Sequence, residues 1–276
     1  QKIGELKLEK PIEVLFEGAD DEIYKPIENT SLDLVDDIKE DFCFLHIGQW
    51  SQGNYAEDRK NISKMIKVFY ESCLSKIKQV KEMFPSDWKL PNVYLLHGSL
   101  SSTEINKLYN HPKVKAFISF THGEGFGRPL LEATMVGLPI IASNWSGHVD
   151  FLNEEDTILL GGELKKVPKS VVWKDIIIPE SQWFNVNETQ AYKGLNYCFE
   201  NYDEVNKKAK NLMKINREKF TLNKMIEKLD EILINKISNI PTQVNLALPK
   251  LKKIENLQTS KIKLPKLKKM TSEATV

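Results

Sequence analysis

The sequence predicts an α/β domain built on a doubly wound parallel sheet, and three observations carry that prediction. Short apolar runs recur along the chain, most of them closed by a glycine; amphipathic stretches at helical spacing separate them; and one turn between a run and a stretch holds three alternating glycines, Gly123, Gly125 and Gly127. Strands that are apolar throughout and alternate with helices belong to a sheet covered on both faces. Such a sheet receives its ligands at the carboxyl ends of its strands.

The first run, residues 42–48, has the length and flanks of a buried strand. From Arg59 to about Met83, the residues Ile62, Met65, Ile66, Phe69, Cys73, Ile77 and Val80 recur at helical spacing, and Pro85 stops the helix. Residues 92–98 read as the next strand. Ser101 and Glu104 then form a capping box that opens a short helix. Residues 114–120 are a third strand. The glycine-rich turn leads into a helix from Arg128 or Pro129 to about Val136. Residues 138–143 and 157–161 supply a fourth and a fifth strand. Between Gly162 and Asn187 the pattern places no element. The last third is helical and ends on the stripe Met225, Ile226, Leu229, Leu233 and Ile237.

The chain has 276 residues, 41% hydrophobic and 28% charged, enough for a substantial core. With a net charge of +1 nothing at the level of the whole chain points to nucleic acid, and no nucleic acid is expected as a partner. The charge is unevenly placed, however. After Pro241 eight Lys face only Glu255 and Glu273, about +6, which leaves about −5 for the rest. This tail repeats Leu-Pro-Lys-Leu-Lys-Lys at 248–253 and 264–269. Its Pro and Lys content predicts a disordered basic extension, with the two repeats as candidate docking motifs for a protein partner. The expected organisation is a linker remnant over 1–10, the α/β domain over 11–240 and the tail over 241–276. A start at Gln1 suggests a fragment or a processed product. Cys43, Cys73 and Cys198 are far apart without a C-x-x-C pair, which reads as reduced thiols in a cytoplasmic protein.

The chemistry lies in the glycine turn. Glycines let the backbone approach a ligand closely, and Pro129 fits a first helical turn. The N–H groups and dipole of the following helix then face the turn, a ready site for a diphosphate. Glu124 in the turn and Glu132 in the helix would repel that anion, so they must face something else. Vicinal hydroxyls of a ribose or hexose suit them, because carboxylate oxygens accept from hydroxyls. The plainer alternative makes Glu124 a solvated loop charge and Glu132 a partner of the helix dipole. The glycine spacing fits neither a dinucleotide fingerprint nor a G-x4-G-K-[ST] phosphate loop. The five histidines lack ligand-spaced partners, and no Asp-x-Asp clamp is present, so neither a metal nor a resident cofactor is expected.

"EGFGRPLLE", Glu124 to Glu132, resembles the Glu-x7-Glu motif of retaining glycosyltransferases with two Rossmann-like domains, in particular glycosyltransferase family 4 and, in its wording, a viral-type subgroup. "VLFEGADDEIYKP" from Val14, "HIGQW" with "EDRKN", "NVYLLHGSLSSTEINKLY" and "GLPIIASNWSGHVDFL" resemble, in the same order, other segments of the second, donor-binding domain. The resemblance covers about residues 11 to 235. It implies that Glu124 is the catalytic-site carboxylate on the donor sugar and that Glu132 holds the ribose hydroxyls. Gly125, Phe126 and Gly127 would lie against the diphosphate or sugar, with Arg59 and Lys60 as its basic pair; Gln49 stands where many relatives have Arg. The implied activity is transfer of a glycosyl group from a nucleotide-diphosphate sugar to a glycan, protein or other acceptor hydroxyl, with retention. The acceptor site would belong to an amino-terminal domain that is missing here. The alternatives are a non-catalytic nucleotide-sugar-binding module and a nucleotide-sugar epimerase.

Overall fold

The computed structural model describes residues 12–48, 60, 92–96, 98–173 and 176–236. The expected helix over 59–83 apart from Lys60, Arg59, Gln49, Cys73, His97, the linker remnant and the basic tail with its repeats lie outside the described residues.

The elements run α1 (Asp33–Asp36), β1 (Cys43–Leu45), α2 (Ser102–Asn110), β2 (Val114–Ser119), α3 (Arg128–Met135), β3 (Ile140–Ser143), β4 (Ile158–Leu160), β5 (Gly162–Lys166), β6 (Gln182–Val186), α4 (Glu188–Glu200), α5 (Tyr202–Lys219) and α6 (Leu222–Lys236). β1 to β4 form a four-stranded sheet in chain order. All its pairings are parallel, with Leu45 opposite Phe117, Phe117 opposite Ile140 and Ile141 opposite Ile158. A parallel sheet needs a crossover for every strand, and the helices supply cover on both faces.

On one face Phe117, Ile140 and Ala142 pack with Leu108 and Tyr109 of α2, Leu130, Leu131 and Met135 of α3 and Leu212 of α5. On the other, Ala116, Ile118, Ile141 and Leu160 meet Ala191, Leu195 and Cys198 of α4, with Phe184 and Val186 of β6. The residues of β2 and β3 are buried, Ser119 and Ser143 among them, because both faces of the sheet are covered; only Lys115 of β2 is partly exposed. The capping box is formed as expected: Ser101 Oγ accepts from the Glu104 N–H, and Glu104 accepts from the Ser101 N–H.

Two segments differ from the sequence reading. Residues 92–96 carry no strand; instead the side chains of Asn92 and Tyr94 donate to Glu40, and Leu95 is 62% exposed. An apolar run of this length does not by itself specify a ladder partner. The unplaced stretch after Gly162 is an antiparallel hairpin, β5 with β6, in register from Gly162–Val186 to Lys166–Gln182. All five residues of β5 are exposed, so the alternation that marks a half-buried strand is absent from its sequence. The hairpin is tied to the glycine turn. The Phe184 N–H donates to the His122 carbonyl at 3.2 Å, and His122 Nδ1 lies 2.7 Å from the Phe184 carbonyl. Trp183 stacks on the His122 ring at 4.7 Å.

Candidate functional site

The site lies at the carboxyl end of the sheet, where the chain leaves β2 and crosses to α3. Gly127 is the N-cap of α3 at φ 94°, a left-handed conformation that an L side chain resists. Pro129 sits in the first turn, where its missing N–H is not needed. The helix therefore begins directly behind the turn, with the positive end of its dipole toward it, while the Leu130 and Leu131 N–H groups donate to the Gly127 carbonyl at 2.9 and 3.2 Å.

In front of the helix start is a small cleft open to solvent, with room in it for about one water molecule. His46, Lys60, Ser119, Glu124, Gly127 and Leu130 are among its walls. Lys60 Nζ donates to both oxygens of Glu124, at 2.5 and 2.6 Å. The side chains are 16% and 10% exposed, so the pair is largely withdrawn from water. Removing one partner of such a pair strands the other charge, which is costlier than the pair is stabilising.

Glu132 faces elsewhere. It is 7% exposed; its Oε2 accepts from the Tyr109 hydroxyl at 3.3 Å, and the Arg128 guanidinium stands 3.5 Å from Oε1. Burial holds its carboxyl above the usual carboxylate range, opposed by the Arg128 charge and the tyrosine hydrogen bonds. The folded protein thus keeps this proton to higher pH than the unfolded chain does. The stability it contributes is complete below the unfolded value near 4.5 and is lost as pH rises through the raised folded pKa. Glu132→Gln should flatten the fall in melting temperature over that interval. Parallel pH profiles for the two proteins would contradict the assignment.

Of the residues singled out in the sequence, Lys60, Glu124 and Gly127 meet at the cleft. Gly125 is exposed, and the Phe126 ring packs on Phe151, centroids 5.1 Å apart; neither lines the cleft. Glu132 is on the same helix but turned to α2. Arg59 lies outside the described residues.

The segment after the motif, residues 137–152, which the sequence placed in the donor-binding domain with His148 near the site, forms the opposite wall of the turn. The segment 143–148 grips it: the Glu124 N–H donates to Ser146 Oγ at 2.7 Å, the Gly147 N–H donates to the Glu124 carbonyl at 3.1 Å, and Ser143 Oγ donates to the Thr121 carbonyl at 3.0 Å. His148 is wholly buried behind Gly127, with Nε2 2.6 Å from the Ser143 carbonyl. Burial lowers its pKa, opposed by the Ser143 carbonyl and the Glu124 charge, and so favours the neutral ring. His46 Nδ1 meets the Ile118 carbonyl at 2.8 Å, and His111 meets Asp36 at 2.9 Å. Burial pushes the Cys198 thiol up to about 12, which removes it as a thiolate nucleophile. Among the described residues no group of three His, Cys, Asp or Glu could hold a metal ion, and no helix is long and apolar enough to cross a membrane.

Residues 86–166, which include the cleft's glycine turn, match the family of glycosyl transferases group 1. No curated protein matches the chain in sequence. Among solved structures, a glycosyltransferase from Rickettsia africae is 20% identical, with a TM-score of 0.54 over 83% of this chain and 58% of its own. Sucrose-phosphate synthase from Thermosynechococcus elongatus is 13% identical, TM-score 0.54, over 80% of this chain and 52% of its own. The HepE protein of Anabaena, solved with UDP and glucose, is 14% identical, TM-score 0.54, over 81% and 57%. The fold is thus one found in glycosyltransferases, and the chain spans little more than half the length of these proteins.

Proposed function

We propose that this chain forms the donor site of a retaining glycosyltransferase that takes a glycosyl group from a nucleotide-diphosphate sugar and passes it to an acceptor hydroxyl. The observation that carries the reading is the Lys60–Glu124 pair at the mouth of α3. A diphosphate sugar presents both kinds of partner at once, an anion for Lys60 and the helix start, and hydroxyls for Glu124. Gly125, Phe126 and Gly127 would border the diphosphate through their backbone, Arg59 would join Lys60, and Glu132 would take the ribose hydroxyls by exchanging its tyrosine partner.

In the reaction the bond between the anomeric carbon and the diphosphate breaks, and positive charge develops on the sugar. Lys60 and the dipole of α3 stabilise the departing diphosphate. The acceptor hydroxyl attacks on the face the diphosphate leaves, and its proton passes to the leaving group, so configuration is kept. The other, amino-terminal half of a longer enzyme, of the kind the solved relatives have room for, would hold the acceptor. Cys43 and Cys198 are free thiols, which suits a reducing, cytoplasmic setting.

The test is a panel of UDP-, GDP- and ADP-hexoses and the bare diphosphates, followed by calorimetry and by the anomeric configuration of any product. Failure of every member to bind would end the donor reading. Binding with no transfer to any acceptor, even beside an added acceptor domain, would leave a nucleotide-sugar-binding module.

We also propose that no divalent metal is needed, because Lys60 and the helix start meet the charge a metal would meet. Donor affinity should be the same with chelator as without; a loss on adding chelator that added magnesium or manganese restores would overturn this.

A further inference from the structure

Ser146 stands at φ 76°, ψ −156°. That region is occupied almost solely by glycine, because a Cβ there crowds its own backbone. A serine is held in it within the turn that grips the glycine loop. Its Oγ accepts the Glu124 N–H at 2.7 Å, and the next residue, Gly147, donates its N–H to the Glu124 carbonyl at 3.1 Å. Both backbone polar groups of Glu124 are thus fixed from one turn, on the residue whose carboxylate faces Lys60 in the cleft. A glycine at 146 would relax the backbone and lose the oxygen; the strain is the condition for having Oγ at that spot.

We infer that Ser146 is a positioning residue: its strained backbone aims Oγ at the Glu124 N–H and thereby sets the Glu124 carboxylate for the sugar of the donor. This rests on the donor reading above. Ser146 reaches the ligand only through Glu124, so its effect falls on the sugar and not on the nucleotide. The turn is anchored independently of Oγ, by Ser143 on the Thr121 carbonyl and by Gly147, so removing Oγ loosens Glu124 without releasing the loop.

The test uses the 276-residue chain with Ser146→Gly and Ser146→Ala, and Glu124→Gln as reference. Each is titrated with the best-binding nucleotide-hexose of the panel and with its bare nucleoside diphosphate. Ser146→Gly should melt roughly 2–6 °C higher than the wild type, because it sheds the strain. Ser146→Ala keeps a Cβ and should not gain. Both should bind the nucleotide-hexose about three- to tenfold more weakly while holding the diphosphate as before, the loss of one hydrogen bond to the loop. A serine with a purely structural role predicts a more stable Ser146→Gly with the wild-type ratio of the two affinities. If both variants keep that ratio while Glu124→Gln lowers it, the positioning role is wrong and the donor site stands. If Glu124→Gln also leaves the ratio unchanged, Glu124 does not face the sugar and the positioning role fails, whereas the donor reading itself fails only if no nucleotide-hexose of the panel binds.

Discussion

Glu124→Gln is expected to weaken the nucleotide-hexose about ten- to hundredfold and to leave the bare nucleoside diphosphate within about twofold. The carboxylate is 10% exposed and held by Lys60 at 2.5 and 2.6 Å, so its oxygens are already aligned when a sugar hydroxyl arrives. A hydrogen bond to a charged group contributes about 1.5–3 kcal/mol, which is that range of affinity. The amide keeps the shape and one acceptor but offers an N–H where the sugar offers an O–H. Lys60→Ala should behave differently. It removes the cation that a diphosphate needs, so both ligands weaken, and it leaves the Glu124 charge in a site mostly withdrawn from water, so the protein melts lower as well. Calorimetry on the two variants separates these patterns. Equal losses for both ligands in Glu124→Gln would move the carboxylate off the sugar.

The contrast between the two carboxylates of the motif shows how far the sequence reaches. Glu124 and Glu132 lie eight residues apart and look alike as letters, both beside a glycine turn and a helix start. The helix period separates them in space: Glu124 precedes the N-cap and points into the cleft, while Glu132 lies a turn inside α3 and faces Tyr109. Although the run at 92–98 gives no strand over 92–96, four of the five expected strands and the starts of α2 and α3 were legible because each depends on local pattern, an apolar run, a capping box or a proline after glycine. The hairpin over 162–186 was not, because β5 buries nothing and its partner is fixed by a ladder 16 or more residues away in sequence. Nor was the grip of Ser146 on Glu124. Nothing in "NWSGH" announces a serine held at positive φ, since that conformation is imposed by packing between two loops 22 residues apart.

Gly147→Ala should be the most damaging single methyl at the site. A Cβ on Gly147 would stand 2.0 Å from the Gly125 carbonyl oxygen, 2.6 Å from its carbon and 3.0 Å from Phe126 Cα. These are backbone atoms of the glycine loop, and they cannot turn aside as a side-chain end would. Either the loop or the 147–150 turn must move by an ångström or more, and the N–H of Gly147 would leave the Glu124 carbonyl. Overpacking of this kind costs about 1–3 kcal/mol, and here the displaced atoms include the backbone that aims Glu124. The expected result is a lower urea midpoint with an unchanged m-value, and loss of measurable nucleotide-hexose binding. Gly125→Ala is the internal control for stability, because a Cβ there has nothing within 4 Å. It should match or slightly exceed the wild type, since the added side chain restricts the unfolded chain. Equal midpoints for Gly147→Ala and Gly125→Ala would mean that the two loops do not meet as closely as described, and the grip on Glu124 would have to be abandoned along with them.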